Sequence, residues 1–130
     1  MYHATTRGID VKVKPQFVAD RSSPQDAYYF WAYTIEIANN GPETVQLKTR
    51  HWRIMDAQGR VQEVKGAGVV GEEPVLAPGE AFEYTSGVPL PTPSGFMAGS
   101  YGMVSTGGER FDIEIPPFSL DSTEPPRLFN

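Results

Sequence analysis

The chain of 130 residues contains no cysteine. That absence excludes disulfides, thiolate metal ligands and cysteine nucleophiles, and it fits a reducing compartment. No apolar run approaches the roughly 18 residues that cross a membrane as a helix, and residues 1–7 lack the apolar core of a signal peptide. We therefore expect a cytoplasmic protein that does not bind a membrane.

Basic residues are fewer than acidic ones: the chain has 11 Lys and Arg and 16 Asp and Glu, which gives a net charge of −5. A nucleic-acid surface needs clustered positive charge, so we expect no nucleic-acid partner. Histidine is scarce too, with only His3 and His51. His51 is a conceivable general base, but no G-x-S-x-G nucleophile elbow accompanies it. The sequence therefore predicts a protein that is not an enzyme.

Helical periodicity is also missing, and alternation of apolar and polar residues takes its place. Turn signals recur about every ten residues, a spacing that favours an all-β sandwich. We predict an immunoglobulin-like or fibronectin type III-like antiparallel β-sandwich of about seven to eight strands in two sheets. Strands are expected at residues 9–14, 28–38, 45–55, 60–64, 74–77, 81–86, 96–105 and 110–115.

Within the third of these strands, Val45 and Leu47 have one parity, whereas Trp52 and Ile54 have the other. A β-bulge near residues 49–50 would turn both pairs toward the core. Residues 87–95 contain three prolines and are expected to form a long crossover loop. Two further prolines, at 116 and 117, are expected to end the last strand.

The whole chain, residues 1–130, is predicted to be one domain. No linker or internal repeat divides it, and a chain of this length buries enough surface for one core. The folded core is expected at about residues 8–118. Residues 1–7 and 119–130 are expected to be poorly ordered ends, since neither carries a periodic pattern.

Residues 66–71 match the pattern G-x-G-x-x-G through Gly66, Gly68 and Gly71. This pattern binds phosphate when it links a strand to the N-terminus of a helix, but here a strand pattern follows. Two interpretations stay open. Backbone N–H groups of the run could form a phosphate-binding nest, or the glycines could serve a bulge or tight bend.

Local charge favours the second interpretation. Six acidic and two basic residues lie between Asp56 and Glu83, which leaves a local charge of −4. Glu72 and Glu73 could together attract a hard cation, yet adjacent residues of an extended chain point in opposite directions. We therefore expect no bound metal and no cofactor.

A partner-binding surface is the remaining possibility. Trp52 is flanked by Arg50 and Arg53, and these residue types are enriched at interface hot spots. The alternative is that Trp52, like Trp31, belongs to the core, as large aromatics do in small sandwiches. Open edge strands could also accept a peptide or a second copy of the chain, so both a monomer and an edge-strand homodimer remain possible.

Residues 66–87, GAGVVGEEPVLAPGEAFEYTSG, resemble the ApaG family, also called the DUF525 domain. The resemblance covers nearly the whole chain, and its other blocks are at residues 33–41, 45–47, 50–52, 56–59, 92–95, 97–101 and 111–118. It implies a fold like fibronectin type III or immunoglobulin domains. Bacterial members are named for a gene neighbourhood that includes diadenosine tetraphosphate hydrolase, and they are linked genetically to cobalt and magnesium sensitivity. Related eukaryotic domains look like partner-binding modules.

The sequence and the resemblance together predict a non-catalytic protein-interaction or regulatory module, whose protein partner is not identified. The alternative is a sensor of phosphate, of a nucleotide such as diadenosine tetraphosphate, or of a divalent cation, which would use the glycine-rich loop 66–71.

Overall fold

The structure, a computed structural model, describes residues 1–122. Nine strands account for most of these residues, and two single 3₁₀ turns, Ala19–Arg21 and Pro24–Asp26, lie between the second and third. The strands are β1 (Tyr2–Thr6), β2 (Ile9–Phe17), β3 (Tyr29–Asn39), β4 (Val45–Asp56), β5 (Val61–Ala67), β6 (Val75–Leu76), β7 (Ala81–Leu90), β8 (Ser94–Ser105) and β9 (Arg110–Asp121).

The strands form two antiparallel sheets packed face to face. One sheet has the order β1-β2-β3-β7, and the other has the order β5-β4-β8-β9, with the short β6 also paired to β4. The alternation in the sequence explains the packing, because every second residue of β3 is buried from Trp31 to Asn39. The prediction of an all-β antiparallel sandwich is confirmed. Likeness to immunoglobulin or fibronectin type III domains stays a prediction.

Paired strands extend beyond the expected core of residues 8–118. Strand β1 pairs along its whole length with β2, from Tyr2 opposite Val13 to Thr6 opposite Ile9, and β9 continues to Asp121. Residues 1–7 are expected from the sequence to be poorly ordered because they carry no periodic pattern, whereas residues 2–6 form β1. Residues 123–130, the rest of the predicted C-terminal tail, lie outside the described residues. The single domain stays a prediction.

Two expectations based on proline are wrong. The predicted crossover loop at residues 87–95 is mostly strand, since β7 runs to Leu90 and β8 starts at Ser94. The strand after residue 110 does not stop at Pro116 and Pro117, which lie in β9 where its pairing with β8 shifts register. In both cases proline occupies an end strand of a sheet, where a missing ladder hydrogen bond is tolerated.

The predicted β-bulge in β4 is confirmed. The register between β4 and β8 shifts between Leu47 and Thr49, one residue before the expected position. Val45, Leu47, Trp52 and Ile54 are consequently all buried. The bulge also turns Arg50 toward the interior, because it has the parity of Trp52.

One side of the sandwich is closed by contacts between β1 and β9. The Arg7 guanidinium donates to both carboxylate oxygens of Glu109, at 3.1 and 2.9 Å, and lies 4.1 Å from the centre of the Phe111 ring. The Thr6 hydroxyl accepts a hydrogen bond of 3.2 Å from the Glu114 backbone N–H. These contacts hold the two sheets together at this side.

Aromatic rings fill the middle of the interior. The Trp52 ring centre lies 5.4 Å from that of Tyr33 and 6.0 Å from that of Phe118, both in edge-on geometry. Tyr101 packs against the same indole with a centroid separation of 6.5 Å. Edge-on pairs of this kind add roughly 0.5–1.5 kcal/mol each beyond the apolar area that they bury. The cluster joins β3 of one sheet to β4, β8 and β9 of the other.

A hydrogen bond between the hydroxyls of Tyr84 and Tyr101 links the two sheets inside the core. Tyr101 is fully buried, and Tyr84 is 8% exposed. Burial raises the pKa of both phenols above the ordinary value, because it disfavours the charged phenolate.

This shift predicts a loss of stability at high pH. An unfolded tyrosine ionises near about pH 10, whereas these two hold their protons to higher pH when folded. The unfolded chain therefore loses protons first. The contribution of these two phenols to the free energy of unfolding is fully present below about pH 10 and should fall as the pH rises above it. Urea unfolding measured at several pH values between about 8 and 11 checks this.

The double variant Tyr84→Phe, Tyr101→Phe should lessen that decline, because it removes both phenols together and leaves neither one unpaired. Tyr28→Phe, at an exposed position, is the matched control and should leave the decline in place. Equal declines in the two variants would show that the buried phenols do not cause the alkaline loss of stability.

Candidate functional site

The side of the sandwich opposite β1 and β9 is open. Strands β5 and β7 are end strands of their sheets, and in residues 1–122 no other strand pairs with their outer edges. A cleft of about 420 Å³ lies between them. It is lined by Tyr33, Arg50, Trp52, Ile54, Gln62, Val64, Val69, Val70, Gly71, Tyr84, Ser86, Gly87, Val88 and Pro89.

The glycine-rich run 66–71 forms one rim of this cleft. Strand β5 ends at Ala67, and the chain then reverses between Val69 and Glu72, whose backbones exchange hydrogen bonds of 2.8 and 2.9 Å. Val70 and Gly71, the two residues between, have φ of 44° and 80°. Positive φ at both central positions is the mark of a type I′ turn. No helix follows the run, so the geometry that presents phosphate to a helix N-terminus is missing here.

Close packing explains two of the three glycines. A Cβ on Gly66 would lie 2.8 Å from a guanidinium nitrogen of Arg50, and one on Gly68 would lie 2.3 Å from the Glu72 carbonyl oxygen. Backbone N–H groups of the run are also in use. The Gly68 N–H donates to the Lys48 carbonyl at 2.9 Å, and the Val69 N–H donates to Glu72. Fewer donors are therefore left for a phosphate nest.

Val70 is an unusual residue for its position. A β-branched side chain in the left-handed region costs about 1–2 kcal/mol, and type I′ turns favour Asn or Gly there. The Val70 side chain gains little burial in return, since the residue is 55% exposed at the rim of the cleft. Strain of this kind concentrates at functional sites.

Arg50 lies at the inner wall of the cleft. Its Nη1 donates to the carbonyl oxygens of Ala67 and Gly68, at 2.8 and 3.0 Å, so the side chain fastens the end of β5 to β4. Within residues 1–122 no carboxylate lies within ion-pair distance of Arg50, although three other Arg or Lys side chains there form ion pairs.

Phenol groups share the cleft with Arg50. Burial raises the pKa of Tyr33, and the hydroxyl of Ser86 and the charge of Arg50 each offset part of that rise. Arg50 likewise offsets part of the larger rise at Tyr84. The positive charge of Arg50 therefore acts on the interior of the cleft, beside neutral hydroxyls that can donate hydrogen bonds.

The residues predicted to form a partner surface are not on one surface. Arg50 and Trp52 face the interior, Trp52 being 4% exposed, whereas Arg53 faces solvent from the other side of β4. Trp52 therefore belongs to the core, as the alternative interpretation expected. The inward direction of Arg50 was missed, because it depends on where the bulge falls.

His51 lies on the outer face of β4. Its Nε2 makes no hydrogen bond and is 3.8 Å from a carboxylate oxygen of Glu63, which is an ion pair only when the imidazole is protonated. In the part of the chain that the structure describes, no group of three or more His, Asp or Glu side chains is placed to hold a metal ion. Glu73 pairs instead with Lys48 at 2.6 Å.

If the glycines serve backbone geometry, their substitutions should differ in a defined order. Gly68→Ala meets the Glu72 backbone and also requires a positive φ of 62°, so we expect a loss of at least about 2 kcal/mol in the free energy of unfolding. Gly71→Ala has open space around it and should cost only about 1 kcal/mol, from its positive φ. Thermal unfolding of both variants measures the difference, and equal losses would contradict this explanation.

Relieving the strain at Val70 should stabilise the protein. Val70→Asn places a residue favoured in type I′ turns at the same position, and we expect a gain of about 1 kcal/mol in the free energy of unfolding. Val69→Asn is not a suitable control because Val69 is buried. Val75→Asn, at another exposed valine without positive φ, serves instead and should give no gain. Urea unfolding of the wild type and the two variants measures the free energies of unfolding. A Val70→Asn variant no more stable than the wild type would contradict the presence of strain at Val70.

Comparison with known proteins identifies the family. The model of the ApaG domain (DUF525) matches residues 19–105. Proteins named ApaG from Rhodopseudomonas palustris and Bradyrhizobium diazoefficiens are 63% and 65% identical to this chain, with full coverage of both chains in each case.

Solved structures agree with the fold. A putative ApaA protein from Bordetella pertussis superimposes with a TM-score of 0.85 at 50% identity, over 87% of this chain and 92% of the other. The C-terminal domain of wzt is a more distant likeness, with a TM-score of 0.53 at 11% identity, over 99% of this chain and 81% of the other, and it speaks for the fold alone. On the family match and the full-length relatives, the chain belongs to the ApaG domain family.

Proposed function

We propose that this protein is a non-catalytic, cytoplasmic interaction module that binds an extended segment of a partner protein on its open side. The observation that carries the proposal is the pair of strand edges, β5 and β7, that no other strand of residues 1–122 covers, on either side of one cleft. An extended peptide can add to such an edge through main-chain hydrogen bonds and place alternate side chains in the cleft. Within the described residues, no helix is long and apolar enough to span a membrane.

The chemistry of the cleft supports a binding role. Its walls combine apolar side chains, among them Trp52, Ile54, Val64 and Val88, with a similar share of polar surface, to which Arg50 and Tyr33 belong. Binding sites commonly combine these features. The strained Val70 at the rim adds to the argument, because a strained and exposed valine contributes contact area for a ligand at a cost to stability.

A phosphate or nucleotide sensor that uses residues 66–71 is less well supported. Three backbone N–H groups of the turn, those of Gly68, Val69 and Glu72, already donate within the chain. The same turn directs the carbonyl oxygens of Ala67 and Gly68 at Arg50, and carbonyl oxygens repel an anion. This alternative, and the link to cobalt and magnesium sensitivity that the family suggests, stay predictions.

Selection of peptides from a displayed library of random linear sequences tests the proposal. We expect the wild-type protein to enrich linear peptides, and we expect Gln62→Trp to bind them at least tenfold more weakly, because Gln62 lines the cleft. Glu63→Trp is the matched control: Glu63 is the next residue of the same strand, it is exposed, and its side chain is on the opposite face near His51.

The proposal fails if no linear peptide is enriched, or if the two tryptophan variants bind the enriched peptides equally well. Sedimentation of the free protein accompanies the selection, because a homodimer formed through β5 or β7 would cover the same edges. Dimer formation that Gln62→Trp abolishes would make a second copy of the chain the partner.

A further inference from the structure

Arg50 has more hydrogen-bonding capacity than the chain uses. A guanidinium carries five N–H donors, and the two hydrogen bonds of Arg50 both come from Nη1. In residues 1–122 neither Nε nor Nη2 has a hydrogen-bond partner, and no carboxylate forms an ion pair with the group. The carbonyl oxygens that accept from Nη1 orient the side chain but do not neutralise its charge.

The surroundings of Arg50 make that charge unusual. Among the lining residues of the cleft that the structure describes, Arg50 is the only charged one, although the protein as a whole carries a net charge of −5. A charge that is partly shielded from water in a cleft acts more strongly on a ligand than the same charge at a fully exposed surface. Arg53, three residues further along β4, is exposed to solvent instead.

The shape of the site restricts the ligand that would satisfy Arg50. Guanidinium groups bind planar carboxylates through two parallel hydrogen bonds, and the hydroxyl-bearing side chain of Tyr33 lines the same cleft as Arg50. Apolar groups from Trp52, Ile54 and Val88 surround this polar end. A cleft of about 420 Å³ has room for a carboxylate together with one aromatic or branched aliphatic group.

We propose that Arg50 is the recognition residue for a carboxylate carried next to an apolar group, held in the cleft between β5 and β7. The proposal deepens the function argued above and rests on it, since the carboxylate would belong to the bound segment, as an acidic side chain or as a terminal carboxylate. Specificity then comes from Arg50, while the strand edges supply sequence-independent contacts.

A phosphate fits this site less well. The carbonyl oxygens of Ala67 and Gly68 lie within hydrogen-bond distance of Nη1, so one side of the guanidinium is bordered by negative partial charge. A phosphate carries more negative charge and has three oxygens that need donors. A carboxylate has two oxygens, which the unused Nε and Nη2 of the guanidinium can satisfy together.

The test is an amide-resolved NMR titration of the full chain with 3-phenylpropionate, and with 3-phenylpropionamide as the neutral analogue. We expect saturable shifts at cleft residues with 3-phenylpropionate, with a dissociation constant on the order of 1 mM, and at least tenfold weaker binding of the amide. Arg50→Gln should weaken binding of the acid at least tenfold. Arg53→Gln, the matched control at the exposed arginine of the same strand, should leave it unchanged.

Three dipeptide probes distinguish the source of the carboxylate. Acetyl-Val-Phe offers a terminal carboxylate, acetyl-Asp-Phe-amide offers a side-chain carboxylate, and acetyl-Asn-Phe-amide offers neither. Whichever acid binds more tightly identifies the source, and the neutral probe should bind at least tenfold more weakly than that acid. Shifts of equal size with the neutral probe would overturn the proposal.

Arg50→Gln also loses the hydrogen bonds to Ala67 and Gly68, so its spectrum is first compared with that of the wild type. If Arg50→Gln does not fold, two measurements on the wild type test the proposal instead: the affinity for the acid compared with the amide, and the salt dependence of acid binding. Acid binding that does not weaken between about 20 and 300 mM salt contradicts a charged contact.

The outcomes separate the two proposals. If the acids fail to bind but library peptides bind the wild type and lose affinity for Gln62→Trp, the assignment of Arg50 is wrong and the proposed interaction module stands. If 3-phenylpropionate binds through Arg50 but no extended peptide is ever enriched, the interaction module fails and the cleft is a site for small organic acids.

Discussion

The packing of Trp52 between the two sheets is the interaction on which the rest of the structure depends. Its indole contacts Tyr33 from one sheet and Tyr101 and Phe118 from its own. The indole thus packs against both sheets within the hydrophobic core. Within residues 1–122, no strand fills the space beside the indole, between β5 and β7, and this space is the cleft.

The two sides of the sandwich then have different roles. On the β1 and β9 side, the ion pair of Arg7 with Glu109 and the stacking of Arg7 on Phe111 close the gap between the sheets. On the β5 and β7 side, the inward arginine, Arg50, makes no ion pair within residues 1–122 and bonds only to backbone carbonyls. The same residue type thus completes the structure at one side and leaves a charge available at the other.

Local pattern was sufficient to predict the sheets but not the site. Alternation located eight of the nine strands, and the change of parity between Leu47 and Trp52 revealed the bulge. The prolines at 89 and 116 led to a predicted loop and a predicted strand end that are both wrong, because the sequence alone does not distinguish a proline in an end strand from one in a loop. The direction of Arg50 depends on the residue at which the bulge lies, and a shift of one residue exchanges the two faces of a strand.

The glycine run shows why a motif needs its structural context. The spacing of Gly66, Gly68 and Gly71 matches a phosphate fingerprint, yet each glycine has a separate geometric reason in this fold. Gly66 leaves room for a guanidinium, Gly68 for a carbonyl, and Gly71 adopts a positive φ. Only the last reason, a turn, was accessible from the sequence.

The contact at the end of β1 and the start of β9 joins segments about a hundred residues apart, since Arg7, just after β1, pairs with Glu109, just before β9. Contacts at such separation form late, because the chain must first close a long loop. During synthesis the first strand leaves the ribosome long before its partner exists, at rates of roughly 5–20 residues per second. The nascent protein therefore spends several seconds with one sheet edge uncovered, a period in which that edge is open to pairing with other chains.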